Sequence, residues 1–443
     1  MTSAARLAAV TVACEVREHG AYANLALPKT IRSARLNQRD AADATVLSYG
    51  SSRWLGFIDA VLHESVSRPL SALDGGVLDI LRVATYELTV GGEPAHIVNE
   101  WVEVAKTNER RAAGLVNATL RKVTARSVLE WRELFADSLT GDEQIEALTS
   151  HPAWIVRVFQ SLVPAGEVQA LIDADNEPAL PTLVALPGLA SVPADAIRGA
   201  LSPYAYAAPP GPISAIDGIS EGYIRVQDEG SQIAALLLGT VSPITRGEQW
   251  LDLCAGPGGK SALLASLVIP EGGTLIANEP SPHRAELVRQ SVRAFPERVS
   301  VTLEDGRNFG HEFPNRFDRV LVDAPCTGLG ALRRRPESRW RKHEEDLDEL
   351  TALQFELLTA AVLATRIGGY IAYVTCSPHP RETVGVVSRV LAEHSGLLAL
   401  DTGAVLTTIT PETVGAISGT AVQLWPHRHG TDAMYIQLLQ RTR

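Results

Sequence analysis

Apolar positions recur every three or four residues through the first third of the chain, then give way to short continuous apolar runs. Val77, Ile80, Leu81, Ala84 and Leu88 share one helical face, as do Val98, Trp101, Val102 and Ala105. Gly91, Gly92 and Pro94 break the pattern between them. The segment from Gly114 to Val123 closes on Arg121 and Lys122, cations that suit the negative end of a helix. Residues 1–140 are therefore predicted to form an all-α domain. Prolines at 178, 181, 187, 193, 203, 209, 210 and 212 exclude a long helix, so 141–222 reads as a small connecting segment. From Tyr223 to the end, strand and helix patterns alternate. Strands are predicted at 249–254, 274–279, 299–304, 318–323 and 369–375, and helices near 259–268, 282–295, 344–365 and 380–394. Ser281 followed by Pro282 is a well-formed helix start. The alternation predicts an α/β Rossmann-like C-terminal domain, 223–443, built on a doubly wound parallel sheet.

A chain of 443 residues with 45% hydrophobic and 21% charged residues fits a multi-domain globular protein. No apolar stretch is long enough to span a bilayer, so no membrane partner is expected. Leu7 to Cys14 is a short apolar run with Glu15 and Arg17 directly behind it, and reads as part of an amphipathic helix. Four scattered cysteines make no disulfide framework and no Cys-x-x-Cys metal pattern, so a cytoplasmic, metal-free protein is expected. Net charge of −11 argues against indiscriminate coating of nucleic acid. One segment runs the other way. Arg333, Arg334, Arg335, Arg339, Arg341 and Lys342 surround Trp340, a set that can pair phosphates and stack on a base.

Cys326, in Val-Leu-Val-Asp323-Ala-Pro325-Cys326-Thr-Gly, and Cys376, in Tyr-Val-Thr375-Cys376-Ser, each follow an apolar run typical of a strand buried on both faces. Both thiols are thus expected at the C-terminal edge of the sheet, where such folds bind ligands. Singly, each would read as a buried inert thiol, but the paired placement points to chemistry. Upstream, Cys254-Ala255-Gly256-Pro257-Gly258-Gly259-Lys260 reads as a strand-to-helix turn that lets a ligand approach the backbone closely. It is not a phosphate loop, because cysteine stands at 254 where the first glycine would be. Glu279 ends the next strand and can accept both hydroxyls of a ribose; Asp305, after the third, can meet an adenine amino group. An adenosine-type cofactor follows. NAD would satisfy these features too, but a dehydrogenase has no evident use for the two thiols and Asp323. Methylation of a cytosine at carbon 5 uses all three: a thiolate adds at carbon 6, Asp323 holds or protonates N3, and a second thiol assists breakdown of the adduct. The residues alone leave open which thiol attacks.

Asp323-Ala-Pro-Cys326-Thr-Gly, Thr375-Cys376-Ser and Cys254-Ala-Gly-Pro-Gly-Gly-Lys260 together resemble the signature motifs of the RNA 5-methylcytosine methyltransferases, above all the RsmB (Sun) type acting on small-subunit ribosomal RNA. Leu81–Leu88, Pro94–Glu100 and Gly114–Lys122 are similar to the NusB-like RNA-binding domain of that type, and Ser150–Trp154 with Asn176–Pro178 to its connecting segment. The resemblance implies a class I methyltransferase domain and S-adenosylmethionine held by residues 254–260, Glu279, Arg284, Asp305 and Asp323. It implies Cys376 as nucleophile, Cys326 as the thiol that aids product release, and ribosomal RNA as substrate, with no obligate protein partner. The same chemistry on transfer RNA and a non-catalytic NusB-like RNA-binding factor are the alternatives. Two departures stand out: Asp432-Ala433-Met434-Tyr435 where the family has Asp-Gly and aromatics, and Pro380-Arg381-Glu382-Thr383 where it has Glu-Asn-Glu.

Overall fold

The computed structural model describes residues 4–93, 95–411 and 415–443. It divides the chain into two compact units, one of residues 1–177 with 332–342, the other of 178–331 with 343–443. Pro94, expected at a helix break, lies outside the described residues.

The first unit is helical throughout. The helix Gly75–Leu88 buries Val77, Ile80, Leu81, Ala84 and Leu88, and Val98–Asn108 buries Val98, Trp101, Val104 and Ala105. Val102 is only half-buried; the face of that helix turns to Val104 instead. Trp101 donates from Nε1 to Glu87, which also pairs with the buried Arg6. The segment expected to connect the domains is divided between the units. Residues 141–177 form three further helices of the first unit, Gly141–Thr149, Ala153–Leu162 and Val168–Asn176. Pro152 is an N-cap rather than an interior residue, so it starts a helix, and Ile155, Val156 and Phe159 are buried behind it. The proline density that signals irregular chain begins only at Pro178.

Residues 332–342 complete this unit, although they follow the Cys326 motif in sequence. Arg339 is fully buried and donates to the Ser150 carbonyl (3.0 Å), Asn176 Oδ1 (2.8 Å) and the Asp175 carbonyl (3.2 Å). Glu337 accepts from the backbone of Ala23, and Arg53 donates to the Arg333 carbonyl. A charge buried this way leaves several groups stranded when it is removed.

In the second unit, β1 (Thr182–Ala185), β2 (Ala205–Ala207) and β3 (Ile224–Val226) form a small antiparallel sheet in the order β2-β1-β3. Among the described residues the main sheet has nine strands: β4 (Gln249–Asp252), β5 (Thr274–Asn278), β6 (Val299–Thr302), β7 (Phe317–Asp323), β8 (Thr365–Thr375), β9 (Leu397–Ala399), β10 (Ile417–Ser418), β11 (Ala421–Gln423) and β12 (Tyr435–Arg441). The order is β10-β11-β12-β8-β7-β4-β5-β6, with β9 also on β12. Strands β4 to β8 are mutually parallel, as the strand–helix alternation predicts. The sheet is mixed, however. β12 runs antiparallel to β8 over six register pairs and antiparallel to β11 on its other side. Strand order reverses around β4, with β5 on one side and β7 on the other, so the chain leaving β4 opens the crevice of a doubly wound sheet.

Candidate active site

The glycine loop leaves β4 and enters the helix Gly259–Val268. Ala255 donates its N–H to the Asn278 carbonyl, tying the loop to the end of β5, and Gly258 takes a left-handed φ of +103° as N-cap. A Cβ on Gly256 would lie 2.1 Å from Glu279 Oε2, so the absence of a side chain lets the acid reach the loop. Glu279 is buried; Oε1 accepts from Ser281 N–H, Oε2 faces Arg284 at 3.2 Å, and Arg284 donates to the Gly256 carbonyl at 2.8 Å. The acid and the arginine thus hold the loop between them. Pro257 is exposed, and Cys254 is a largely covered thiol that burial pushes well above its ordinary value.

Beneath the loop, Asp252 is wholly buried and accepts from Ser261 at 2.6 Å through Oδ2, while Oδ1 has no protein partner. Burial first, and the nearby Asp323 charge, push its carboxyl up to about 7. Asp305 caps the turn Gly306–Asn308 and is gripped by Arg307, which also reaches Glu356. That guanidinium holds the Asp305 carboxyl below its usual value. An adenine amino group would have to share Asp305 with Arg307.

β7 and β8 deliver the chemistry side by side. Asp323 ends β7 and pairs with Lys260 Nζ at 2.8 Å, so the lysine of the glycine loop bridges to the Asp-Ala-Pro-Cys motif. Burial opposes the ammonium charge, but Asp323 outweighs it and the Lys260 pKa is raised. The sulfurs of Cys326 and Cys376 are 3.4 Å apart, close enough to share one proton. Contact with Cys326 holds Cys376 below the ordinary thiol value against the pull of burial, Asp323 and Asp432, with Lys260 helping. The same contact, then burial, pushes Cys326 up. Within the pair the contact lowers Cys376 and raises Cys326, so a shared proton is favoured on Cys326.

The two departures also fall here. Ala433 donates its N–H to the Gly330 carbonyl of the Cys326 loop, and Met434 is buried in the main core. Arg381 pairs with Asp348 at the surface. Of the basic segment, Arg341 donates to the carbonyls of Val16, Gly20 and Ala21, and both Arg335 and Arg341 lie over the Tyr22 ring. Arg333 is half-buried and Arg334 exposed. These four arginines belong to the helical unit, whereas the cysteines, Asp323 and the glycine loop lie in the other.

Sequence reasoning missed a buried polar set behind the thiols, formed by Thr327, Gln354, Ser377 and Glu382. Its signal was a hydroxyl residue directly after each cysteine. Among the described residues, no group of acids, histidines and cysteines is arranged to hold a metal ion, and no helix is long and apolar enough to cross a membrane.

A mixed α/β sheet with a glycine loop at its switch point and two thiols at neighbouring strand ends defines a methyltransferase domain. Residues 240–440 match the family described as 16S rRNA methyltransferase RsmB/F, and residues 3–125 match the NusB family. A Mycobacterium tuberculosis protein carrying the name of a methyltransferase is 43% identical over 99% of this chain and 96% of its own length. Ribosomal RNA small subunit methyltransferase B of Thermus thermophilus is 33% identical over 88% of this chain and 87% of its own. Among solved structures, PH0851 superimposes with a TM-score of 0.82 at 21% identity, covering 100% of this chain and 99% of that one. NSun6 of Pyrococcus horikoshii, solved with SFG, gives 0.56 at 16% identity over 67% of this chain and all of that one. The chain belongs to the RsmB/F family, with a NusB domain ahead of its catalytic domain, and is an RNA methyltransferase.

Proposed function

We propose that this enzyme transfers a methyl group from S-adenosylmethionine to carbon 5 of a cytosine in small-subunit ribosomal RNA, through a covalent adduct on Cys376, in the cytoplasm. The observation that carries the chemistry is the 3.4 Å pair of unequal thiols beside the Lys260–Asp323 ion pair. The side-chain-free cradle at Gly256 against the buried Glu279 suits a ribose, and SFG in the NSun6 structure is an analogue of this cofactor. When bound, the cofactor supplies an electrophilic methyl group. The protein's residues prepare the base to take it. Cys376 thiolate adds to carbon 6, and Asp323, oriented by Lys260, holds or protonates N3 so that electron density collects at carbon 5. After transfer, the carbon 5 proton passes to water and its bonding pair restores the carbon 5–carbon 6 double bond. The carbon 6–sulfur bond breaks with its pair returning to the Cys376 sulfur, and N3 returns any proton it took to Asp323. Cys326, in contact with that sulfur, stabilises the departing thiolate by donating to it. Ribosomal RNA as the substrate is supported by the names of the relatives and the NusB domain. Bisulfite sequencing of ribosomal and transfer RNA from a deletion strain tests it: a cytosine of 16S RNA loses its methyl group, and loss confined to transfer RNA overturns the assignment.

Glu279 is proposed to bridge the ribose hydroxyls. Glu279→Ala is expected to weaken S-adenosylmethionine binding by about 1.5–3 kcal/mol, the scale of hydrogen bonds to a charged group. Isothermal calorimetry measures this, and unchanged affinity removes the acid from the cofactor site.

Arg333, Arg334, Arg335 and Arg341 are proposed to meet RNA phosphates. Neutralising all four is expected to raise the Michaelis constant for RNA and to flatten its salt dependence, by about 0.7 in log–log slope for each phosphate left without its arginine. Cofactor affinity is spared. Because Arg341 is also tied to three carbonyls, Arg341→Ala alone should lower the melting temperature. A melting effect with no change of salt slope assigns the segment to structure alone.

A further inference from the structure

Glu382 lies six residues beyond Cys376 and is fully buried. Its Oε1 accepts from the Thr327 N–H at 2.8 Å and from Gln354 Nε2 at 3.0 Å, and its Oε2 accepts from the Thr327 hydroxyl at 2.5 Å. Thr327 directly follows Cys326. Its Oγ1 also lies 3.1 Å from the hydroxyl of Ser377, which directly follows Cys376. With the Thr327 proton committed to the carboxylate, Ser377 is the donor in that second contact, so the residues after the two thiols are bonded to each other. The remaining contacts fix the hub itself. Tyr373, on β8, donates to the Glu382 carbonyl at 2.7 Å, and Gln354 also donates to the Pro325 carbonyl at 2.8 Å. One carboxylate therefore ties together the Cys326 loop, the Cys376 loop and the helix Asp346–Ala364.

None of these groups reaches the reacting base in the proposed mechanism, yet together they leave the two loops little freedom to separate. A carboxylate that accepts three hydrogen bonds in a buried setting resists displacement more than neutral contacts would. We propose that Glu382 is a positioning residue, which through Thr327 and Ser377 sets the distance between the two sulfurs and so the readiness of Cys376 to attack. The proposal rests on the thiol roles given above. It predicts that disturbing Glu382 changes the chemistry of Cys376 without touching cofactor binding.

The test uses the full chain and reads alkylation of Cys376 by iodoacetamide across pH, resolved by peptide mass spectrometry, in the absence of RNA. Free enzyme is used so that an error in the substrate or the methylation reading does not affect the result. Besides Cys326, the charged groups acting on Cys376 are Lys260, Asp323 and Asp432, none of which is altered; the Glu382 charge itself raises Cys326, so Glu382→Gln, which removes that charge but keeps an acceptor, separates charge from position. Glu382→Ala is expected to move the alkylation midpoint upward, towards that of an ordinary thiol, and to lower kcat by about tenfold or more, as a small misplacement of reacting groups does. The Michaelis constant for RNA and the affinity for S-adenosylmethionine stay within about twofold of the parent. Glu382→Gln retains an acceptor for Thr327 N–H and Gln354 and restores most of both properties. Should Glu382→Ala fail to fold, Thr327→Val deletes the bridging hydroxyl alone and is expected to shift the midpoint in the same direction. A lowered melting temperature with the parental alkylation profile and kcat overturns the proposal and leaves Glu382 a purely structural residue.

Discussion

Cys376→Ala is expected to abolish both methylation and the covalent intermediate, whereas Cys326→Ala accumulates an RNA–protein adduct that survives denaturing electrophoresis. The two substitutions remove the same atom type 3.4 Å apart, so the opposite outcomes come from the order of events. Addition at carbon 6 precedes methyl transfer, and without the Cys376 sulfur carbon 5 is never activated. Elimination follows transfer, and without the Cys326 proton the departing thiolate loses its donor while attack remains possible. Both variants should keep the fold, since a small side chain lost at a strand edge leaves little cavity. The loss of turnover in Cys376→Ala is expected to exceed about 10³-fold, the scale for a nucleophile acting as part of a unit. An adduct trapped by Cys376→Ala and absent from Cys326→Ala reverses the roles.

The geometry adds an electrostatic reason for that order. Lys260 is drawn out of the glycine loop to Asp323, and its charge favours the thiolate form of Cys376. One lysine thus links the loop proposed to hold the cofactor, the acid proposed to hold the base, and the thiol proposed to attack it. Distorting that loop is expected to disturb the charge state of Cys376 as well.

The parallel core of the sheet was legible because β4, β7 and β8 carry short apolar runs, Trp250–Leu251, Val320–Val322 and Ile371–Val374, that are buried and each followed by a polar residue. The antiparallel strand β12 was not. Nothing in Tyr435–Arg441 itself distinguishes an antiparallel strand set inside the sheet, between β11 and β8, from a terminal segment, and its pairing with β8 is wholly non-local. The membership of residues 332–342 was hidden for a related reason. Six cations around a tryptophan read locally as a solvated basic loop, and nothing in the segment announces that Arg339 is buried among the carbonyls of Ser150 and Asp175. The placement of both thiols just beyond the ends of neighbouring strands was legible from the apolar runs alone. Their relation was not, since the sulfur–sulfur distance depends on Thr327, Ser377 and Glu382, whose meaning appears only when the two loops are side by side.

Gly330→Ala is expected to lower kcat by about 10²-fold while leaving affinity for S-adenosylmethionine unchanged. Gly330 donates its N–H to the Cys376 carbonyl and accepts from the Ala433 N–H, both at 2.8 Å, so it stitches the Cys326 loop to the ends of β8 and β12. A Cβ at this position would lie 2.0 Å from the Ala433 carbonyl oxygen, a backbone atom that no rotamer change can move. Relief requires the Cys326 loop to withdraw from Cys376 or the Ala433 segment to shift. Withdrawal of the Cys326 loop is the expected route, and it separates the thiols by a fraction of an ångström to about an ångström, the displacement at which reacting groups lose about two orders of magnitude in rate. The strain also destabilises the fold, by about 1–3 kcal/mol for an overpacked site, so melting temperature is measured beside kcat. The diagnostic quantity is the split between steps. Because the glycine loop between β4 and its helix is remote in sequence and makes none of these bonds, calorimetric cofactor affinity stays at the parental value. Single-turnover formation of the Cys376 adduct slows by the same factor as kcat. Parental adduct kinetics in a destabilised Gly330→Ala protein would show that the loop tolerates displacement, and that the close contact with Ala433 serves packing alone.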